Sequence, residues 1–241
     1  MLSAAQRDAY ERDGFIVVPD VFSPAEIDEL RRVTDEFVRN AAAVTANDEV
    51  YDLEDTHSRD EPRVRRLKAP HLIDPAYFRA SRNGKVVAIL KELWDSVRFD
   101  TGKLNMKSAG YGAPVEWHQG WAFYPHTNDD LAAVGIMLDD IDRDNGPMLV
   151  VPGSHKGPVY DHHGRDGRFC GAIDPQRGDL DFFARDAVSR QSGIGDGASR
   201  ARRAWFGDQP LRARAALSLV PVPRRRCLAA LGLQGRHREI R

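Results

Sequence analysis

The chain has 241 residues, 41% of them hydrophobic, enough for a sizeable core in one large domain or two small ones. No apolar run nears the ~20 residues of a membrane-spanning helix, and the charged start, Met1 to Phe15, lacks the apolar stretch of a secretory signal. Two cysteines, Cys170 and Cys227, make no disulfide framework, so the expected setting is the cytoplasm, without membrane attachment.

The net charge of -1 hides a split. From Ala187 to Arg241 there are 12 arginines, no lysine and 3 acids, a net +9; the remaining 23 bases and 33 acids give -10. A basic arm can mark a nucleic-acid partner. This one carries only Trp205 and Phe206 as aromatics and no recognised module, which argues against that partner.

In chain order, Ser3 can cap a short helix to Arg12, ended by Gly14. Phe15-Ile16-Val17-Val18 reads as a strand. Ser23-Pro24-Ala25-Glu26 supplies an N-cap, a proline at the first helical position and a glutamate three residues after the cap. The stripe Ile27, Leu30, Val33, Thr34, Phe37, Val38 predicts a helix to about Ala43. Residues 44–66 read as a polar surface loop, and Lys85 to Trp94 as a further helix. Short strands follow at Arg98–Lys107, Val115–His118, Ala132–Leu138 and Pro147–Val151, with Asp144-Asn145-Gly146 as a turn between the last two. Helices first and strands later predict an α+β domain with a mainly β core.

Histidines are sparse, and Trp117-His118-Gln119 follows the turn Gly110-Tyr111-Gly112-Ala113-Pro114. Downstream lie Leu138-Asp139-Asp140 and then the run from Asp144 through Pro152-Gly153-Ser154-His155-Lys156. With the amino-terminal Asp13-Gly14-Phe15-Ile16-Val17-Val18, these segments resemble the phytanoyl-CoA dioxygenase family of non-haem Fe(II)/2-oxoglutarate oxygenases, over roughly Ala5 to Phe182. The resemblance implies a double-stranded β-helix, a jelly-roll barrel, with N-terminal helices. It implies Fe(II) as metal, 2-oxoglutarate as co-substrate, O2, and a small-molecule substrate whose C–H bond is hydroxylated. It also implies a metal triad of two histidines and one carboxylate, with open positions for the co-substrates.

The family's first two ligands come as His-x-Asp. His118 fits the first, but Gly120 stands in the carboxylate slot. That departure fits a halogenase, in which chloride takes the vacated position, an inactive relative, or a changed codon. Asp129 and Asp130 are expected to be solvated turn residues. The distal histidine is not identified: His155 belongs to a turn, His162 and His163 to a polar loop, and His237 stands near the end. By the same resemblance, Asn105 and Lys68 are candidate 2-oxoglutarate contacts, and Trp121 and Tyr124 candidate substrate-lining residues.

The genetic code offers an account of the missing ligand. Ala204 to Gln209 can be encoded GCA TGG TTC GGC GAC CAA, which one nucleotide later reads His-Gly-Ser-Ala-Thr-Asn, similar to the family's distal-histidine segment. Arg226 to Leu231 likewise reads Asp-Ala-Trp-Pro-Leu, similar to a common bacterial ending. The chain is thus divided into a family-like domain, 1–186, and an atypical tail, 187–241, which is either native or out of frame. If it is out of frame, the last barrel strands are expected to be missing or disrupted. Pro221 and Pro223 disfavour a central strand there.

Overall fold

A computed structural model describes residues 1–94, 97–107, 116–125, 131–139, 148–174 and 176, and the backbone of three later strands. Helix α1 spans Ala4–Asp13, held at its start by reciprocal capping between Ser3 and Gln6. Its end is set by Gly14, in the left-handed region at φ 81°. Strand β1 is Phe15–Val18. Helix α2, Pro24–Asn40, is opened by the Ser23/Glu26 capping box and buries Ile27, Leu30, Val33 and Thr34.

Residues 44–66 are not the loop expected. Strands β2 (Tyr51–Leu53) and β3 (Val64–Lys68) pair antiparallel there. The charged residues that read as a loop support the hairpin instead: Asp48 Oδ1 accepts from the backbone N–H groups of Val50 and Tyr51, at 2.8 and 2.6 Å. Helices α3 (Pro70–Ile73) and α4 (Pro75–Ala80) follow, then α5 (Gly84–Leu93), capped by Asn83. Strands β4 (Val97–Asn105), β5 (Ala133–Met137) and β6 (Leu149–Val150) lie close to their expected positions. Within 116–119 no strand forms. His118 sits in irregular chain just before a 3-10 turn, Gly120–Ala122, so the alternation of a strand does not place residues 118 and 120 on one face. The expected turn, Asp144-Asn145-Gly146, lies outside the described residues.

The tail gives the largest difference from expectation. Strands β7 (Asp186–Ala187), β8 (Ala204–Gly207) and β9 (Ala216–Pro223) all pair. Seven strands form one sheet in the order β1-β8-β5-β9-β4-β3-β2, and β6 pairs β7 in a second sheet. The last strands are therefore neither missing nor disrupted in their backbone ladder. The prolines fit because β5 pairs only Ala216 to Leu219 of β9. Pro221 and Pro223 lie beyond it, opposite Phe99 and Val97 of β4, where β9 needs no ladder toward β5.

One core fills the space between the helices and the large sheet. Ile27, Leu30, Tyr77, Val86 and Leu90 pack with Leu67, Leu104, Val134 and Ile136. A smaller core lies on the opposite sheet face, where Phe15, Ala133 and Met137 meet Met148 and Val150. Strand β5 is buried along its whole length, which explains its unbroken apolar run.

Candidate active site

Strand alternation places the polar side chains of β3 and β4. Leu67 faces Leu104 across the ladder, and both are buried in the helix-side core. The flanking pairs, Arg66 with Asn105 and Lys68 with Lys103, must then project to the opposite face. Lys103 lies in the same row as Gly135 of β5, and Asn105 in the same row as Met137.

Hydrogen bonds organise this face. Arg66 Nε donates to Asn105 Oδ1 at 3.0 Å, and Arg66 also meets Asp52 at 3.3 Å. Lys68 binds Asp52 at 2.8 Å and donates to the Asp48 carbonyl at 2.7 Å. Lys68 is thus tied into the β2–β3 hairpin, and Asn105 keeps its amide N–H groups as donors. Lys103 has no acidic partner among the described residues. Its ammonium lies 5.7 Å from the centre of the Phe123 ring, and burial followed by the charge of Arg66 lowers its pKa to about 8.

Phe123 links this cluster to the histidine. Its ring stands edge-on to His118 at 4.9 Å and to Phe169 at 5.3 Å. Gly171, at φ 67°, lets the chain pass over that ring, since a Cβ there would lie 2.8 Å from Phe123 Cζ. His118 itself is buried, and its Nδ1 lies 3.0 Å from the Glu116 carbonyl. A carbonyl only accepts, so Nδ1 carries the proton and Nε2 keeps its lone pair. Burial, then the charge of Lys103, holds the His118 pKa down at about 3, so the imidazole is neutral.

The other sequence candidates fall into place around it. Trp121 and Tyr124 pack on Leu131 as a small apolar cluster immediately after His118. His162 is engaged at both nitrogens. Nε2 accepts from the Gln119 backbone N–H at 2.8 Å, and Nδ1 donates to the Tyr160 carbonyl at 2.7 Å. It fastens the His118 segment to residues 160–173 and is not placed as a ligand. Gln119 completes the clamp, donating to the Pro158 carbonyl and accepting from the Tyr160 N–H. His155 packs against Gly14, and its Nε2 lies 3.3 Å from the Glu11 carbonyl, a contact with the first helix. Sequence reading missed Lys103, Phe123 and Gln119. Lys103 had a signal, since it alternates with Asn105 on the same strand face.

The His162 clamp has a pH signature. Burial lowers the His162 pKa below its ordinary 6.5. Below that pH the unfolded chain takes up a proton that the folded site refuses, so stability falls as pH drops from 6.5. Melting temperatures taken from about pH 8 to about pH 5 should fall more steeply for the wild type than for His162→Gln, which does not titrate. Parallel curves would show that His162 does not contribute.

Three ligands for iron do not gather among the described residues. His118 offers one suitable nitrogen, Gly120 offers none, and no group of three His, Cys, Asp or Glu side chains forms. The described donors therefore do not by themselves hold iron as a triad would.

Residues 10–201 match the family model described as phytanoyl-CoA dioxygenase. The chain belongs to that family. A probable alpha-ketoglutarate-dependent hypophosphite dioxygenase of Stutzerimonas stutzeri is 37% identical over 188 residues, 73% of this chain and 65% of that protein. An ectoine dioxygenase of Bordetella bronchiseptica is 27% identical over 164 residues, 64% of this chain and 50% of its own length. This chain thus matches between half and about two thirds of these relatives. Among solved structures, EvdO2 from Micromonospora carbonacea, complexed with 2-oxoglutarate, has a TM-score of 0.67 at 22% identity, covering 96% of this chain and 94% of that one. EctD from S. alaskensis with bound Fe has a TM-score of 0.67 at 21% identity, covering 92% and 77%. These likenesses place the phytanoyl-CoA dioxygenase member in the fold of iron and 2-oxoglutarate enzymes. Among the described residues no helix is long and apolar enough to cross a membrane.

Proposed function

We propose that this chain is a 2-oxoglutarate-dependent dioxygenase acting with O2 on the C–H bond of a small molecule, with a metal centre weakened at Gly120. The observation that carries this reading is His118, neutral and with Nε2 available, beside a half-buried basic cluster on one sheet face. Asn105, through its amide, would contact 2-oxoglutarate. Lys68 would act on it through charge, since its ammonium is held by Asp52. Trp121 and Tyr124 would line the substrate's entry. The large and small sheets would be the two leaves of a double-stranded β-helix. The unit would comprise 1–186, with strands from 187–241 completing the large sheet, in a cytoplasmic protein without nucleic-acid or membrane partners.

Iron would supply oxygen activation, and His118 would be its protein ligand. The protein's own part is to keep the imidazole neutral and oriented through the Glu116 carbonyl, and to exclude water with Phe123, Trp121 and Tyr124. Gly120 favours a second reading, halogenation, and the lack of a three-ligand cluster among the described residues favours a third, an inactive member.

One experiment separates them. The purified protein is titrated with Fe(II) and 2-oxoglutarate without oxygen, and the visible charge-transfer band is followed. Oxygen is then admitted with and without chloride. A band followed by succinate formation independent of chloride is the expected result. Chloride-dependent turnover would establish the halogenase. No band in folded protein would overturn oxygenase activity for this chain.

A further inference from the structure

The cation count around Asp52 and Lys103 does not balance. Arg66 and Lys68 share the single carboxylate of Asp52, at 3.3 and 2.8 Å. Lys103 stands across the ladder from Lys68 and feels the charge of Arg66, with no acid of its own among the described residues. Among the described residues, three cations therefore face the one carboxylate of Asp52 on this patch. A half-buried ammonium without a carboxylate partner is poorly compensated for its lost hydration, and a bound anion would supply that partner.

The surroundings of Lys103 give that role a shape. The Phe123 ring forms one wall, 5.7 Å from the ammonium. The same ring touches His118, so the charge and the metal-binding nitrogen share one aromatic partner. Asn105, two residues along the same strand face, adds amide donors, while its oxygen is already taken by Arg66. Gly135 occupies the row of Lys103 on β5 and brings no side chain over it. Lys103 and the Asn105 amide thus offer donors on this row of the sheet, which suits an acceptor-rich anion.

We propose that Lys103 anchors a small oxyanion, a carboxylate or phosphinate-type group, in the space beside His118 and Phe123. This deepens the functional reading above and rests on it for the identity of the site. The chemistry has two sources. The anion is the charged group of the primary substrate or a carboxylate of 2-oxoglutarate. A compact anionic substrate held here would be oriented by one charge contact and a few amide donors, with the aromatic wall excluding larger molecules.

The test is binding to metal-free protein, so it does not depend on turnover. Intrinsic tryptophan fluorescence is followed while hypophosphite or 2-oxoglutarate is added separately to wild type, Lys103→Met and Lys103→Arg. Wild type should bind hypophosphite saturably, Lys103→Met should weaken it about tenfold or more, and Lys103→Arg should retain most of it. Lys103→Met should also melt at a higher temperature, because it removes the unpaired cation, so a misfolded variant is distinguishable from a lost contact. Unchanged 2-oxoglutarate binding in Lys103→Met assigns the anion to the substrate. Weakening of 2-oxoglutarate alone assigns it to the co-substrate. Equal binding of both ligands by wild type and Lys103→Met would overturn the proposal, as would failure of wild type to bind either. An inactive metal centre would fail the iron titration and still pass this one.

Discussion

Gly120→Asp should tighten Fe(II) binding by about tenfold or more, the largest change expected from any single substitution in this chain. As it stands, one neutral imidazole is available to a metal there, and one nitrogen makes a weak site. An aspartate two residues from His118 adds a hard, charged oxygen on the same short segment. The second contact then forms within one molecule rather than from solution. The backbone admits the change, because Gly120 is not among the glycines in the left-handed region and opens a 3-10 turn. The new carboxylate would be buried, so without metal the variant should be less stable than wild type, and added Fe(II) should reverse the loss. Gly120→Asn, nearly the same shape without the charge, should gain much less. Anaerobic Fe(II) titrations of the three proteins decide the matter. Equal affinities for Gly120→Asp and wild type would show that residue 120 does not face the metal.

Gly14→Ala should cost about 3 kcal/mol or more of stability, for two separable reasons. Gly14 has φ 81°, where an alanine is strained by about 1 kcal/mol. A Cβ there would also lie 2.3 Å from His155 Nδ1, inside the ring's van der Waals surface. The ring has little room to retreat, because the loop carrying it is tied back to the first helix. Gly153 N–H donates to the Asp13 carbonyl at 2.9 Å, and His155 Nε2 lies 3.3 Å from the Glu11 carbonyl. Urea denaturation of Gly14→Ala, His155→Gly and the double variant separates the parts. The double variant should recover the steric share and keep the backbone share. Strictly additive costs would show that no clash exists.

The sequence signals that worked were local and chemical. The Ser3 cap, the Ser23/Glu26 capping box and the α2 stripe are legible in the chain, and the structure forms them with the same residues. The Asp13 to Val18 and Asp144 to Lys156 segments carried the family. Elements whose stability comes from distant partners were harder to read. Strand β2 has three residues, and its charges read as solvent-facing until Lys68 and Arg66 are seen to share Asp52. The tail looked unsuited to a sheet because its prolines were judged without knowing where β5 stops. The site was half legible. His118 and Asn105 stood out by motif, whereas Lys103 gained meaning only when Arg66, Lys68 and Asp52 were placed around it. His162 read as a loop residue, yet it holds the backbone of Gln119 beside His118.

The pairing of β1 with β8 sets the order in which the chain can be completed. Phe15 to Val18 lie against Ala204 to Gly207, which are synthesised long after them. Strand β5 flanks β8 on its other side, so its own edge also waits for that segment. During synthesis the helices and the β2–β3–β4 ladder can form early, while an apolar ladder stands open until β8 arrives. A nascent chain stalled before residue 204 would present β1 and β5 as unpaired edges, and such intermediates are the ones that chaperones or aggregation capture.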